Sequence, residues 1–348
     1  MRIIIATVQI PFVSGGAESH AEGLKAALIA EGHEASIIAV PYNPAVPESI
    51  PDQMLACRLM DLTEVHGTRV DRLIALKFPA YLIPHPHKIV WVLHQHRAAY
   101  ELWNYPFEDL SATPRGVMVR EAIRRADQLL SEAAAVYANS KNVANRLAHF
   151  CGIAAQPLYH PPPNAESFYC ARETEEYFLF PSRLSASKRQ SLVLEALALT
   201  KQKVKVRFAG VPDSAEYGKR LKLLAEKLGV EARVEWLGFI PEEEKRENYA
   251  KALAVIFPPV DEDYGYVTLE AMLSSKAVVT CDDSGGPLEF VAHKETGLIA
   301  KPTAAALAKA LDELWQDRDL AVKYGRAGRE RFRQLKLSWP EVVRRLLM

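Results

Sequence analysis

Short apolar runs, each followed by a polar turn and then a stretch with helical spacing, recur along the chain. This alternation restricts the fold more than any other feature. In the first half the runs are Arg2–Val8, Ala35–Val40, Arg72–Leu76, Ile89–Leu93 and Ala135–Asn139; in the second they are Tyr177–Phe180, Val204–Ala209, Val234–Leu237, Ala254–Phe257 and Ala277–Cys281. Arg2–Val8 is continuous and β-branched, as in a strand buried on both faces of a parallel sheet. Ala17, Ala21, Leu24 and Leu28 mark a helix stopped by Gly32, and further helices are expected at Met54–His66, Arg115–Leu130, Lys141–Phe150 and Tyr217–Leu228. Such alternation gives an α/β fold in which each half is a Rossmann-like parallel sheet covered by helices. Pro157–Phe168, with three successive prolines and Asn164, is the strongest linker signal. Domains are therefore expected over 1–165 and 166–331.

A length of 348 residues accommodates two domains. The 43 Lys and Arg residues balance 43 Asp and Glu, so no global field favours nucleic acid as a partner. Arg115, Arg120, Arg124 and Arg125 crowd one segment, which reads either as a solvated helix face or as a patch for anionic lipid or a polyphosphate-linked acceptor. Cys57, Cys151, Cys170 and Cys281 are scattered without a CxxC pair, which fits reduced thiols in a cytoplasmic protein. Ile3–Val8 is short and runs into a polar glycine loop, so it reads as a strand and not as a signal peptide. No apolar run approaches the ~20 residues of a membrane span, and a soluble protein is expected.

Chemistry concentrates in Phe257–Leu273. Pro258 and Pro259 end an apolar run, an acidic turn bends at Gly265, and Val267, Leu269, Met272 and Leu273 fall at helical spacing. Unpaired amides and the positive end of the dipole at such a helix start suit an anion. Glu262 in the loop and Glu270 about one turn into the helix flank that position. Carboxylates accept hydrogen bonds from hydroxyl groups but repel phosphate, so the combination suggests a sugar nucleotide.

Three other places have matching chemistry. Ser14-Gly15-Gly16-Ala17-Glu18 lies between the first strand and its helix, where amides can approach phosphate. The fourth strand ends in His94-Gln95-His96-Arg97, at the edge where open α/β sheets bind ligands. Two imidazoles two residues apart make a metal conceivable, but no nearby carboxylate or cysteine supports one. Arg183, a planar fork, and Lys188, a point charge, flank a strand-to-helix turn and can close on a diphosphate. Val204–Ala209 likewise ends in Gly210-Val211-Pro212 at a strand's carboxyl end.

Asp261–Met272 resembles the signature of the retaining, nucleotide-sugar-dependent glycosyltransferases of family 4 (glycosyl transferases group 1, GT-B fold), with Asp263 and Tyr264 in place of the usual proline and phenylalanine. Gly15-Gly16-Ala17-Glu18 is similar to the family's Gly-Gly-x-Glu loop, and His94 to its strand-end histidine. Arg183 and Lys188 resemble its Arg-Leu-x-x-x-Lys-Gly motif, with Arg189 replacing the glycine. Gly238-Phe239-Ile240-Pro241 resembles its base-reading loop, and Ser284–Val291 its Gly-Gly-x-x-Glu segment, where Glu289 reads as mainly structural. Leu337–Leu347 resembles its terminal helix, which adds residues from about 332 to 348 to the first domain.

The resemblance implies two domains facing across a cleft and a set of roles. Glu262 and His94 would be catalytic. Arg183, Lys188, Gly15, Gly16 and the amides of Tyr266, Val267 and Thr268 would hold the donor diphosphate. Glu270 would bind the ribose; Phe239, Ile240 and Gly210 the base; and Glu262, Asp263, Tyr264, Gly265 and His94 the transferred sugar. The donor would be a UDP- or GDP-sugar and the acceptor a saccharide or lipid-linked molecule, with no metal, no cofactor and no nucleic acid. Peripheral membrane contact through the first domain is compatible with this. The loops 40–51 and 93–113 would shape the acceptor site. A same-fold sugar-nucleotide epimerase or hydrolase, or a non-catalytic sugar-nucleotide-binding subunit, stays open as an alternative.

Overall fold

The computed structural model describes residues 1–12, 15–105 and 110–348. Ser14 of the glycine loop and residues 106–109 of the 93–113 loop lie outside the described residues. The chain divides into two compact units, Met1–Pro163 with Ser338–Met348, and Asn164–Leu337.

In the first unit β1 (Arg2–Gln9) leads through α1 (Gly16–Ala30) to β2 (Glu34–Pro41) and α2 (Ile50–Leu59). A small hairpin of β3 (Glu64–Val65) and β4 (Thr68–Arg69) follows, then β5 (Arg72–Ala75), β6 (Lys88–Val92), α3 (Gly116–Asp127), β7 (Ala135–Ala138), α4 (Lys141–Cys151) and β8 (Gln156–Pro157). Six of these strands form a parallel sheet in the order β2-β1-β5-β6-β7-β8. Six successive residues of β1, from Ile3 to Val8, are buried, because helices cover both faces.

Two expectations need correction. The helix expected at Met54–His66 runs instead from Ile50 to Leu59, since Pro51 fits the first turn of a helix. Its expected end is the hairpin: His66 and Gly67 both take positive φ, 50° and 71°, and form the two-residue turn between β3 and β4. The helix expected at Arg115–Leu130 ends at Asp127 and tightens into a 3-10 turn over Gln128–Glu132.

Asp127 is the last residue of α3. It is fully buried and accepts hydrogen bonds from Tyr81 and Tyr100, each at 2.7 Å. Gln95 Nε2 donates to Cys151 Sγ (2.8 Å), and the Cys151 thiol lies 3.5 Å from the Tyr100 hydroxyl, so a buried polar chain joins the end of β6 to α3.

A last helix, α12 (Trp339–Leu347), belongs to the first unit. Val342, Val343 and Leu346 are buried with Ile3, Ile5, Leu24 and Leu28. Trp339 stacks on His160 at 5.6 Å, and His160 meets His20 at 2.9 Å. Gly23 makes room for the indole, since a Cβ there would come within 2.6 Å of it.

The second unit runs through β9 (Phe178–Pro181), α5 (Gln190–Leu199), β10 (Val206–Ala209), α6 (Ala215–Lys227), β11 (Val234–Gly238), α7 (Glu242–Lys251), β12 (Ala254–Ile256) and α8 (Tyr266–Leu273). It continues through β13 (Ala277–Cys281), α9 (Pro287–Phe290), β14 (Gly297–Ala300), α10 (Ala304–Gln316) and α11 (Arg318–Leu335). Its sheet is parallel, in the order β11-β10-β9-β12-β13-β14. Phe178, Phe180, Phe208, Phe257 and Val279 fill the core. The chain leaves β9 towards β10 on one side and leaves β12 towards β13 on the other. Loops therefore diverge above β9 and β12 and open a crevice at their carboxyl ends. Among the described residues, no helix is long and apolar enough to cross a membrane.

Burial raises the Asp127 carboxyl to about 6 against the two tyrosine hydrogen bonds. A folded-state pKa above the unfolded value favours the protonated fold, so this stabilisation is full at low pH and is lost as pH rises through about 4 to 6. Asp127→Asn removes the dependence. In denaturant unfolding its stability should gain on the wild type between pH 4 and pH 7, by up to roughly 3 kcal/mol at about 1.36 kcal/mol per pH unit.

Candidate functional site

Three loops meet at the carboxyl edge of the second sheet. The first, after β9, carries Arg183 and Lys188. Gln190, fully buried, braces it: its Nε2 donates to the Arg183 carbonyl (2.9 Å) and its Oε1 accepts from the Ser185 amide (3.2 Å). The neighbouring loop after β10 is locked to it in both directions. Leu184 N–H donates to Val211 O at 2.9 Å, and Asp213 N–H donates to Leu184 O at 3.0 Å. Arg183 is exposed and pairs with Asp213 at 2.9 Å.

The second loop, after β12, carries Glu262, and Lys188 Nζ donates to Glu262 Oε2. Both side chains are more than four-fifths shielded from solvent, so the pair is felt strongly. The Lys188 ammonium also lies 5.4 Å from the Phe257 ring centre. The loop is fixed by backbone bonds: Val260 N–H donates to Ser187 O (2.7 Å), Asp261 N–H to Asp283 O (2.9 Å) and Glu262 N–H to Ser284 O (2.9 Å). Asp283 and Ser284 belong to the third loop, after β13. Gly286 completes the stitch by donating to Glu262 O at 2.8 Å.

Gly265 then turns the chain into α8 with φ 84° and ψ 66°, a left-handed conformation that glycine adopts without steric cost. Tyr264 is buried edge-on against Phe290 and Tyr266, both at 5.5 Å. Of the three α8 amides expected to face an anion, that of Thr268 donates to Gly265 O at 3.0 Å. The Thr268 side chain is wholly buried, and its hydroxyl has no hydrogen-bond partner among the described residues.

Glu270 lies one turn into α8, 6% exposed. Tyr249 donates to its Oε2 at 2.7 Å and Lys245 to its Oε1 at 3.1 Å, both from α7. Each carboxylate oxygen keeps a second lone pair with which to accept from a ligand hydroxyl. Sequence reasoning missed Lys245, Tyr249 and Gln190. The i, i+4 spacing of Lys245 and Tyr249 on one helix is the signal that could have paired those two.

Of the residues expected to read a base, Gly210 and Phe239 follow β10 and β11. A recess of about 240 Å³ lined by Leu184, Gly210, Pro212, Lys222, Trp236 and Gly238 opens between β11 and α6. Phe239 is 79% exposed beside it, and Ile240 is partly buried against the core. A larger groove of about 590 Å³ runs between β10, β11 and α7, and neither Lys188 nor Glu270 lines it. Within it Arg207 pairs with Glu175 and Glu235, and Lys251 with Glu247.

Gly15, Gly16 and His94 belong to the first unit. Gly15 caps α1 and its N–H donates to Glu18 Oε2 at 2.7 Å. His94 follows β6 and its Nδ1 lies 2.7 Å from the Gln95 carbonyl, which only accepts, so Nδ1 carries a proton. His96 packs edge-on against Phe78, and burial lowers its pKa to about 4, so it is neutral near pH 7.

Gly210 offers a direct check on this loop arrangement. A Cβ there would come within 2.1 Å of the Ser182 carbonyl, in the turn that carries Arg183. Gly210→Ala should lower stability by about 2–4 kcal/mol in denaturant unfolding, because the clash falls on backbone that cannot give way.

Residues 166–331 match the family described as Glycosyl transferases group 1. The chain is 30% identical over 121 residues to the mouse alpha-1,3/1,6-mannosyltransferase ALG2, a stretch covering 35% of this chain and 29% of that protein. It therefore spans under a third of the length of that relative. Among solved structures, sucrose-phosphate synthase from Thermosynechococcus elongatus superposes with a TM-score of 0.78 at 20% identity, covering 99% of this chain and 97% of that one. The Anabaena protein Alr3699/HepE, in complex with UDP and glucose, superposes with a TM-score of 0.74 at 17% identity, over 100% of this chain and 98% of that one. These likenesses extend to both units and give the fold. The region that matches the glycosyl transferases group 1 family, residues 166–331, coincides with the second parallel sheet and its helices.

Proposed function

We propose that the protein is a retaining glycosyltransferase that moves a hexose-type sugar from a UDP- or GDP-sugar to a saccharide or lipid-linked acceptor. The observation that carries the reading is the shielded Lys188–Glu262 pair beside the start of α8. A donor diphosphate offers Lys188 a stronger anionic partner, and the released Glu262 carboxylate then accepts from hydroxyls of the sugar. Arg183 and the amides of Tyr266 and Val267 hold the same diphosphate, together with those near Gly15 and Gly16. Glu270, already oriented by Tyr249 and Lys245, takes the ribose hydroxyls. The loop of Gly210, Phe239 and Ile240 takes the base. Asp263, Tyr264 and Gly265 take the sugar, the role that the family resemblance also assigns to His94.

Charge at the leaving group drives the step. Positive charge from Arg183 and Lys188 stabilises the departing nucleoside diphosphate, which is the task a divalent metal would otherwise perform, so turnover should persist in EDTA. Glu262 steadies the oxocarbenium-like transition state. The acceptor attacks from the face that the leaving group vacates, and its proton passes to the departing phosphate. The match to a mannosyltransferase and the likeness to a protein that holds UDP and glucose both support a nucleotide-sugar substrate. The domain division at about 165, with the terminal helix assigned to the first domain, is part of the same reading. So is a cytoplasmic location with peripheral membrane contact, for which exposed Val117 and Met118 on α3 beside Arg124 and Arg125 are the candidates.

A thermal-shift screen against nucleotide sugars identifies the donor, since a bound ligand stabilises the fold with the logarithm of its concentration over Kd. With that donor, Lys188→Ala should lower kcat/KM by about 10²–10³-fold in a transfer assay. Turnover unchanged in both Lys188→Ala and Arg183→Ala would remove the diphosphate assignment.

A further inference from the structure

Arg189 occupies a backbone position that an arginine does not favour. Its φ is 62° and ψ 39°, the left-handed region, at the junction between the Lys188 turn and α5. Side chains other than Asn, Asp and His are uncommon there, and glycine would hold the same turn without a steric penalty. The backbone therefore does not account for the residue, so its side chain has to.

The side chain forms a two-pronged bond with Asp283: Nη1 to Oδ1 at 2.7 Å and Nη2 to Oδ2 at 2.6 Å. The partners are 94 residues apart and belong to the loops after β9 and β13. A paired fork of this kind fixes direction as well as distance. Arg189 follows Lys188 in the chain. Asp283 gives its carbonyl to Asp261 N–H, and its neighbour Ser284 gives its carbonyl to Glu262 N–H. The fork thus ties the loop that carries Lys188 to the loop on which Glu262 rests. As a contributor to stability, a pair whose carboxylate side chain is 40% exposed ranks low.

We infer that Arg189, through Asp283, is a positioning residue that sets Lys188 against Glu262 for the transfer, acting without contact to the donor. The inference rests on the glycosyltransferase reading, and its tests separate the two.

Arg189→Gly is the informative variant, because it relieves the left-handed backbone while deleting the fork. Its melting temperature should be no lower than that of the wild type, while kcat/KM falls by about tenfold or more, most of it in kcat, since the fork supports groups that act in the transition state. Asp283→Asn should give a similar loss, and the double variant no further one, as expected of two groups acting as a unit. Arg189→Lys, keeping the charge but not the fork, should recover only part. In crystals of Arg189→Gly, Lys188 and Glu262 should part. Wild-type kcat/KM in Arg189→Gly, additive losses in the double variant, or an unmoved Lys188–Glu262 pair in those crystals would each overturn the inference. A wild-type protein that turns over no nucleotide sugar would overturn the enzymatic reading instead, and the crystals would still decide whether Arg189 positions the pair.

Discussion

Lys188 and Glu262 carry opposite charge, stand largely out of water, and come from loops separated by 74 residues of chain. A charge pair in such surroundings loses solvation and survives only if its geometry is imposed from outside. In the second unit that geometry comes from the sheet. Parallel strands deliver every β-to-α loop to one edge, and the reversal of strand order between β9 and β12 sets two of those loops side by side. Backbone hydrogen bonds from the loop after β13 then fix Glu262 before any side chain is considered. The crossover topology thus comes first and the chemistry second.

The side chains of the pair stand apart from the backbone bonds that hold the loops. Asp261, Glu262 and Gly286 spend their amides on neighbouring loops, and Gly265 spends its conformational freedom on entry to α8. Lys188 and Glu262 side chains, in contrast, can each take another partner without disturbing those bonds. On the proposed reading, a rigid frame holding one exchangeable ion pair suits a site that takes an anion and a polyol together.

The architecture was legible because continuous β-branched runs such as Ile3–Val8 suit a doubly buried strand and little else, and because prolines and glycines mark where each run stops. Failures came where local chemistry has two readings. Apolar residues between Met54 and His66 fit a helix, yet His66-Gly67 makes a tight hairpin turn, and Pro51 belongs to the first turn of the helix before it. The candidate site was drawn from polar residues in the loops that follow strands, Arg183, Lys188, Glu262 and His94. The partners of those residues were not legible. Asp283 for Arg189, Tyr249 and Lys245 for Glu270, and Gln190 for the Arg183 turn are set by how loops and helices pack, and spacing in one chain does not encode that.

The attachment of α7 has its own consequence. Glu242–Lys251 is polar nearly all round, and of its ten residues only Asn248, Tyr249 and Ala250 are buried. Such a helix has little apolar surface with which to hold its place. Two of its longer side chains, Lys245 and Tyr249, converge instead on one carboxylate, that of Glu270. Removing that carboxylate does two things at once: it deletes the acceptor proposed for ligand hydroxyls and cuts the mooring of a whole surface helix. Lost activity in such a variant is therefore ambiguous until hydrogen exchange along α7 shows whether the helix has stayed at its berth.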